Sequence, residues 1–261
     1  MKIDVYRKKK RQFTIFSLIV LCMTFITAKL TNFSFVQGIS SVPEAFRWMG
    51  SNLLITRESF EKMPSILDKL IETIFLSITA TTTASIIALL LALLGSQTTK
   101  VNGFFSTLSR FIASVFRNIP IVAWALILLL SFGQNALTGY FALFLATLGF
   151  LTRVFTETID ETSNSSVEAL QATGANYYQV VSKAVLPECS PQMISWILFM
   201  IETNIRSSTL VGILTGTGIG FAFDLYYKSM NYNVVSLITL SIVVVVIAIE
   251  LISNYIRRVI L

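Results

Sequence analysis

The sequence predicts an all-α integral membrane protein with about six transmembrane helices and both N- and C-termini cytoplasmic. Three observations carry that prediction. Apolar stretches approaching the roughly 20 residues that a membrane-crossing helix needs recur along the chain, at about residues 13–28, 71–94, 111–132, 140–155, 193–211 and 234–253. Hydrophobic residues make up 54% of the chain and charged residues only 13%, and the mean hydropathy of +0.73 is far more apolar than ordinary globular composition. Lysine and arginine are also distributed unevenly about the spans. Setting aside Arg117 and Arg206 inside them, twelve (positions 2, 7–11, 100, 110, 153, 183, 257 and 258) fall in or beside segments assigned to the inside, against six (29, 47, 57, 62, 69 and 228) outside. By the positive-inside rule that bias sets the orientation.

The same composition excludes several classes of function. The net charge of +6 comes from basic residues gathered beside apolar spans, so membrane topology accounts for it and no nucleic-acid partner is expected. Histidine is absent, which removes the commonest general base and the HExxH metal site, and no GxxxxGK phosphate loop occurs. No catalytic residue, metal or cofactor is therefore expected, and any ATP must be handled by another subunit. Cys22 falls in the first span and Cys189 beside a cytoplasmic loop, on different levels of the membrane, so they form no disulfide. Cys189 is expected to react with impermeant thiol reagents only from the cytoplasmic side.

Taken in order, residues 1–29 form a basic N-terminus, with the run RKKKR at 7–11, and a first transmembrane helix; no A-x-A cleavage site follows, so the helix is read as retained. Residues 30–69 interleave Arg47, Arg57, Glu58 and Lys62 with Phe46, Trp48, Leu53 and Phe60, as expected of an extracytoplasmic segment carrying an interfacial amphipathic helix. Residues 70–261 form the core. The second span is rich in serine and threonine between Ser77 and Ser85, hydroxyls suited to helix packing, and residues 96–102 connect it to the third on the inside. In the third span Arg117-Asn118-Ile119-Pro120 precedes Trp124, and the proline, lacking an N–H, predicts a kinked or broken helix with freed carbonyls facing protein or a cavity. Arg117 reads either as a path residue or as an arginine snorkelling to the interface.

The fourth span leads through Arg153, Glu157, Asp160 and Glu161 to a cytoplasmic loop at 157–190. Within it, residues 168–172 are good helix formers, Gly174 predicts a tight turn, a second helical run covers 176–185, and Pro187 with Pro191 is expected to stop that run before the fifth span. Glu202 and Arg206 in the fifth span are four residues apart with the acid first, so they pair on one helix face. Ionisable groups at membrane depth are expensive and face a bundle interior or a water-filled path, which makes the pair either a structural bridge or part of a route for an anion. The glycines at 212, 216, 218 and 220 predict a flexible re-entrant or external turn, because no strand precedes them and their spacing is not that of a dinucleotide site. Arg257 and Arg258 end the sixth span inside.

Glu168, Ala169, Leu170, Gly174, Ala175, Leu186 and Pro187, with Leu-Pro twelve and thirteen places after the glycine, resemble the cytoplasmic loop of binding-protein-dependent ABC importer permeases. Leu170 stands where that family usually has a second alanine and Ala184 where it usually has isoleucine. Arg117-x-Ile119-Pro120 before Trp124-Ala-Leu-Ile127, Gly149 with Arg153 and Glu157, and Glu202-x-Asn204-Ile205-Arg206 with Gly212 and Gly218-Ile-Gly220 resemble the phosphonate-type branch. The chain departs from it at Thr215 and Thr217, where glycine is usual, and at Met200, often arginine. The resemblance implies a type I ABC importer permease fold in a bacterial cytoplasmic membrane, embedded in lipid. It implies ABC ATPase subunits docked on the Glu168 loop as a coupling helix, an extracytoplasmic substrate-binding protein, and a second permease copy or paralogue in a homo- or heterodimer. The implied cargo is phosphonate or a related oxyanion such as phosphite or phosphate, with Arg117, Pro120, Trp124, Glu202, Asn204 and Arg206 on the translocation path. The alternatives are an importer of another small solute such as methionine, or a secondary transporter or channel, whose inverted repeats are not visible here.

Overall fold

The structure, a computed structural model, describes residues 2–260, with side chains from residue 7 onward except at position 164. Met1 and Leu261, at the outer ends of the first and last expected segments, and the side chain of Lys2, counted among the inside cations, lie outside the described residues. The chain divides into two units, the first ending at Leu54 and the second beginning at Ile55. The expected boundary at 29/30 therefore falls within the first unit. That at 69/70 falls inside a helix of the second.

In the first unit α1 (Lys2–Leu30) is apolar and long enough from Arg7 to Leu30 to cross a membrane. From Phe13 to Leu30 its phenylalanines, leucines and isoleucines are exposed in the single chain, as a lipid-facing helix requires. A short helix α2 (Phe35–Ser40), whose Gln37 N–H is capped by the Ser34 hydroxyl at 3.3 Å, precedes α3 (Val42–Asn52). On α3, exposed Phe46, Trp48 and Met49 occur among Glu44 and Arg47, the expected interfacial composition.

The second unit is a helical bundle: α4 (Arg57–Phe60), α5 (Met63–Gly95), α6 (Gly103–Asn118), α7 (Ile121–Phe132), α8 (Ala136–Thr162), α9 (Asn164–Ala172), α10 (Tyr177–Val180), α11 (Leu186–Thr215), α12 (Gly218–Lys228) and α13 (Tyr232–Ile260). Among the described residues, α1, α5, α8, α11 (with the turns leading into it) and α13 are each long and apolar enough to span, and α6 with α7 makes a sixth span if that bent pair is one crossing. Helix α5 packs along α8 on a row of fully buried Ala80, Ala84, Ala88 and Ala92, which repeats every fourth residue and so lies on one face. The serine and threonine hydroxyls of α5 bond mainly back to their own helix, Ser77 to the Thr73 carbonyl at 2.8 Å and Thr81 to that of Ser77 at 2.7 Å. Thr83 reaches across to the Tyr140 hydroxyl of α8 at 2.7 Å.

The break expected at Pro120 is a bend of 92° between α6 and α7. A proline pushes the residue before it out of the helical region, and Ile119 is accordingly extended (φ −89°, ψ 119°). Pro120 then starts α7, its carbonyl accepting from the Trp124 N–H at 3.1 Å. Gly149 of α8 allows the bend to sit close, since a Cβ there would lie 2.4 Å from the Arg117 backbone nitrogen.

Two expectations are corrected here. Pro187 and Pro191 do not end the run that precedes α11: α10 continues through a π-helical turn, Val181–Val185, directly into α11. A π turn widens the backbone ahead of the first proline and removes the need for its i−4 bond, and the carbonyl of Pro187, left free by Pro191, accepts the Ser190 hydroxyl at 3.3 Å. The glycine turn after α11 is clamped rather than flexible. Gly216 ends α11 in the left-handed region (φ +71°), and a Cβ on Gly212 or Gly220 would meet backbone at 2.4 or 2.1 Å, so α11 and α12 cross in backbone contact. Glu72 and Thr73 of α5 accept the first free N–H groups of α12, Gly218 at 3.1 Å and Ile219 at 2.8 Å. Thr215 and Thr217, the departures from glycine, bond to each other at 2.9 Å.

Candidate functional site

The loop expected at 157–190 folds into the end of α8, the short helices α9 and α10, the π turn and the start of α11. Val167 of α9 and Val180 of α10 are buried in the cluster that contains Phe155, Ile159, Val185 and Met193, so the loop is part of the bundle's core rather than an appendage. Glu168, Ala169, Gln171 and Ala172 are left exposed on α9, with Tyr178 beside them on α10. The end of α9 is a Schellman motif. Gly174 is left-handed (φ +81°), its N–H reaches the Gln171 carbonyl at 3.0 Å, and the Ala175 N–H reaches back to Leu170 at 3.2 Å. Leu170 and Ala175, the positions such a motif packs together, are both partly buried against the same core. The next helix starts with a reciprocal cap, Gln179 N–H to Asn176 Oδ1 at 3.0 Å and Asn176 N–H to Gln179 Oε1 at 2.8 Å. Leu186 and Pro187 begin α11 beyond the π turn, and the Ser166 hydroxyl donates to Glu188 to tie the two limbs of the loop.

Beside this loop Asp160 organises the connection after α5. One carboxylate oxygen accepts from the N–H groups of Gln97 at 2.8 Å and Thr98 at 3.2 Å and from the Ser96 hydroxyl. Arg110 stands 3.8 Å from its other oxygen while its Nε donates to the Gly95 carbonyl at 2.8 Å. The connection so fixed joins Gln171, Ala175 and Tyr177 around a cavity of about 170 Å³ that includes Thr98, Thr99 and Lys100. Arg153 and Glu157 form an ion pair at 2.7 Å on α8. In sequence Asp160 reads only as a charge leading to the loop, because its partners lie on a different connection.

The expected path residues fall into separate groups. Glu202 and Arg206 pair at 3.1 Å as their spacing requires. A second guanidinium, that of Arg257 on α13, stands 3.7 Å from the other oxygen of Glu202. Asn204 points elsewhere. It is 2% exposed and its amide donates to Thr81 of α5 at 2.8 Å and Thr147 of α8 at 2.7 Å, tying three helices together. Arg117 is exposed at the end of α6, and Pro120 and Trp124 open α7, where the indole packs on Phe116 and donates to its carbonyl at 3.4 Å. Helix α7 packs against α11, but among the described residues no ion pair or hydrogen bond joins Arg117 to the Glu202 cluster. Two charged residues were missed. Arg257 reads in sequence as a topological anchor alone, and Glu250, exposed on α13 without a hydrogen-bond or ion partner among the described residues, carries its own signal as an acid inside an apolar span.

Residues 84–261 match the family described as binding-protein-dependent transport system inner membrane component. A phosphite transport system permease protein of Stutzerimonas stutzeri is 31% identical over 189 residues, covering 72% of this chain and 69% of the relative. A phosphate-import permease protein of Mycolicibacterium smegmatis is 29% identical over 191 residues, 73% of this chain, which spans only 36% of that longer protein. Among solved structures, one of the MetNI methionine ABC transporter in an inward-facing conformation superposes with a TM-score of 0.70 at 20% identity, covering 77% of this chain and 98% of the other. That likeness establishes the fold.

Proposed function

The chain belongs to the binding-protein-dependent transport system inner membrane components, in their phosphonate-type ABC permease branch, and from that membership we propose that it is the membrane-spanning half of an ATP-driven importer for phosphonate or a related phosphorus oxyanion. The observation that carries the reading is the α9 loop: an exposed face of Glu168, Ala169, Gln171 and Ala172 on a helix rigidly seated in the bundle core. Val167 and Val180, buried in that core, hold the face outward. It would serve as the coupling helix, Glu168, Ala169, Leu170, Gly174 and Ala175 shaping the surface on which an ATPase subunit docks, with Leu186 and Pro187 passing its movement into α11.

In this reading the chain sits in the bacterial cytoplasmic membrane with both termini and the loop inside, pairs with a second copy or a paralogue, and receives cargo from an extracytoplasmic binding protein. It holds no cofactor, ATP being bound and hydrolysed by the partner. Closure of the ATPases would pull on α9, and because α9 shares a core with α8 and α11 the bundle would rock as a body between inward- and outward-facing states. Arg206, with the Arg117, Pro120 and Trp124 corner, would border the route of the anion. Affinity purification of the tagged chain from native membranes tests this. The expected result is co-purification of an ABC ATPase that is lost in Glu168→Lys without loss of the permease from the membrane; retention of the ATPase by that variant at the wild-type level would remove the coupling assignment.

A further inference from the structure

Glu202 lies roughly four turns into α11, its side chain only 10% exposed. Two guanidiniums share its carboxylate: Arg206 from the next turn of the same helix at 3.1 Å, and Arg257 from α13 at 3.7 Å on the other oxygen. A guanidinium stays protonated in proteins, so the cluster has two positive charges against one negative. A cluster whose only task was to hold α11 to α13 needs one charge of each sign, and Arg206, on the same helix as Glu202, adds nothing to that contact. Glu250 does not close the balance. It stands seven residues, about 10 Å, from Arg257 along α13, and no ion pair joins the two.

The two arginines are placed differently. Arg257 is 29% exposed and its Nε is buried with no partner, so this side chain is committed to the interior of the chain. Arg206 is 51% exposed and, among the described residues, has one partner, Glu202 on a single terminal nitrogen. The remaining N–H groups of its planar fork are open, in the arrangement that grips two oxygens of a phosphorus oxyanion at once.

We infer that Arg257 is a positioning residue that neutralises Glu202 from behind, so that Arg206 keeps the surplus positive charge and offers it to one oxyanion group of the cargo. This rests on the anion-import reading of Arg206 given above. The charge count then predicts each variant. Arg257→Gln leaves Glu202 to cancel Arg206, and the site becomes neutral with its fork engaged. Glu202→Gln with Arg257→Gln removes one charge of each sign, and Arg206 is again a free cation. Arg257→Lys keeps the count unchanged.

The test is equilibrium binding of phosphite, methylphosphonate and sulfate to the permease–ATPase complex in lipid nanodiscs. Arg257→Gln is expected to weaken phosphite and methylphosphonate by about tenfold or more, the loss of a charge-assisted hydrogen bond, with Arg257→Lys close to wild type. The Glu202→Gln/Arg257→Gln double variant is expected to regain wild-type affinity; a double variant as weak as the single one overturns the inference. Should Arg257→Gln fail to accumulate, the double variant decides alone, binding as wild type if charge count governs and failing if Arg257 is itself a required ligand. Phosphite bound equally by wild type and Arg257→Gln sinks the inference and spares the cargo reading. Sulfate alone bound, with the same dependence on Arg257, sinks the cargo reading and spares the inference. No anion bound by the wild type overturns both.

Discussion

Gly174 offers the sharpest perturbation, because its requirement is conformational and nothing else. Its φ is +81°, and a Cβ built there meets no atom within 4 Å, so a larger side chain has room and pays only in backbone strain. For an L-residue the left-handed region costs about 1–2 kcal/mol, less for asparagine and more for a β-branched residue. If the free loop relieves that strain by opening the Schellman motif, re-forming it against the ATPase costs the same amount, about 5- to 30-fold in apparent affinity. The series Gly174→Asn, Gly174→Ala, Gly174→Val should therefore bind ATPase in descending order while inserting into the membrane equally. Titration of the solubilised permease with purified ATPase, alongside uptake in cells, reads both. Valine binding as tightly as asparagine would refute the reasoning, since size is not constrained at this position and only the φ preference separates the two.

Three further outcomes are expected. Cys189 is fully buried, which corrects the expectation that it reacts from the cytoplasmic side; in a Cys22→Ser background the native protein should resist impermeant thiol reagents and label only after denaturation, whereas Gln171→Cys on the exposed face of α9 should label from the cytoplasmic side alone. Asn204→Ala removes the amide bonds to Thr81 and Thr147 and should lower stability by about 1–3 kcal/mol, taking interhelical bonds in membranes at about 0.6 to 1.7 kcal/mol each, as a drop in unfolding midpoint in nanodiscs; an unchanged midpoint would mean the three-helix tie is not formed. Exchanging the pair, Glu202→Arg with Arg206→Glu, would be neutral for an isolated bridge but here sets a guanidinium against Arg257, 3.7 Å from the present carboxylate. Folded yield by size exclusion should fall below that of Arg206→Gln, and wild-type yield would show that Arg257 does not approach position 202.

What the sequence revealed and what it hid divide along contact distance. The break at Pro120, the turn at Gly174 and the pairing of Glu202 with Arg206 each depend on residues within a few places of one another, and each stands in the structure where local rules put it. The proline stop was local too, but it failed because a π turn at Val181–Val185 lets the helix continue past Pro187. The glycines after α11 were read for flexibility, the property of a glycine in isolation; their role in contact with another backbone appears only when α12 is folded against α11. Asp160 and Arg257 were illegible as site residues because their partners, the Ser96 hydroxyl with the 97–98 backbone and Glu202, are remote in sequence. Asn204 sits two places from Glu202 and so about 200° around the helix, which separates an interior tie from a charged face within a single motif.

The central claim is that this chain passes a phosphorus oxyanion inward under the control of an ATPase docked on α9. Its most direct test is uptake of radiolabelled phosphite and methylphosphonate into proteoliposomes that contain the permease–ATPase complex, with an extracytoplasmic oxyanion-binding protein supplied on the outside face and ATP on the ATPase face. Accumulation that needs both ATP and binding protein, and that disappears in Glu168→Lys, is the predicted result; accumulation that continues without ATP, or of another solute in place of either oxyanion, would contradict the account.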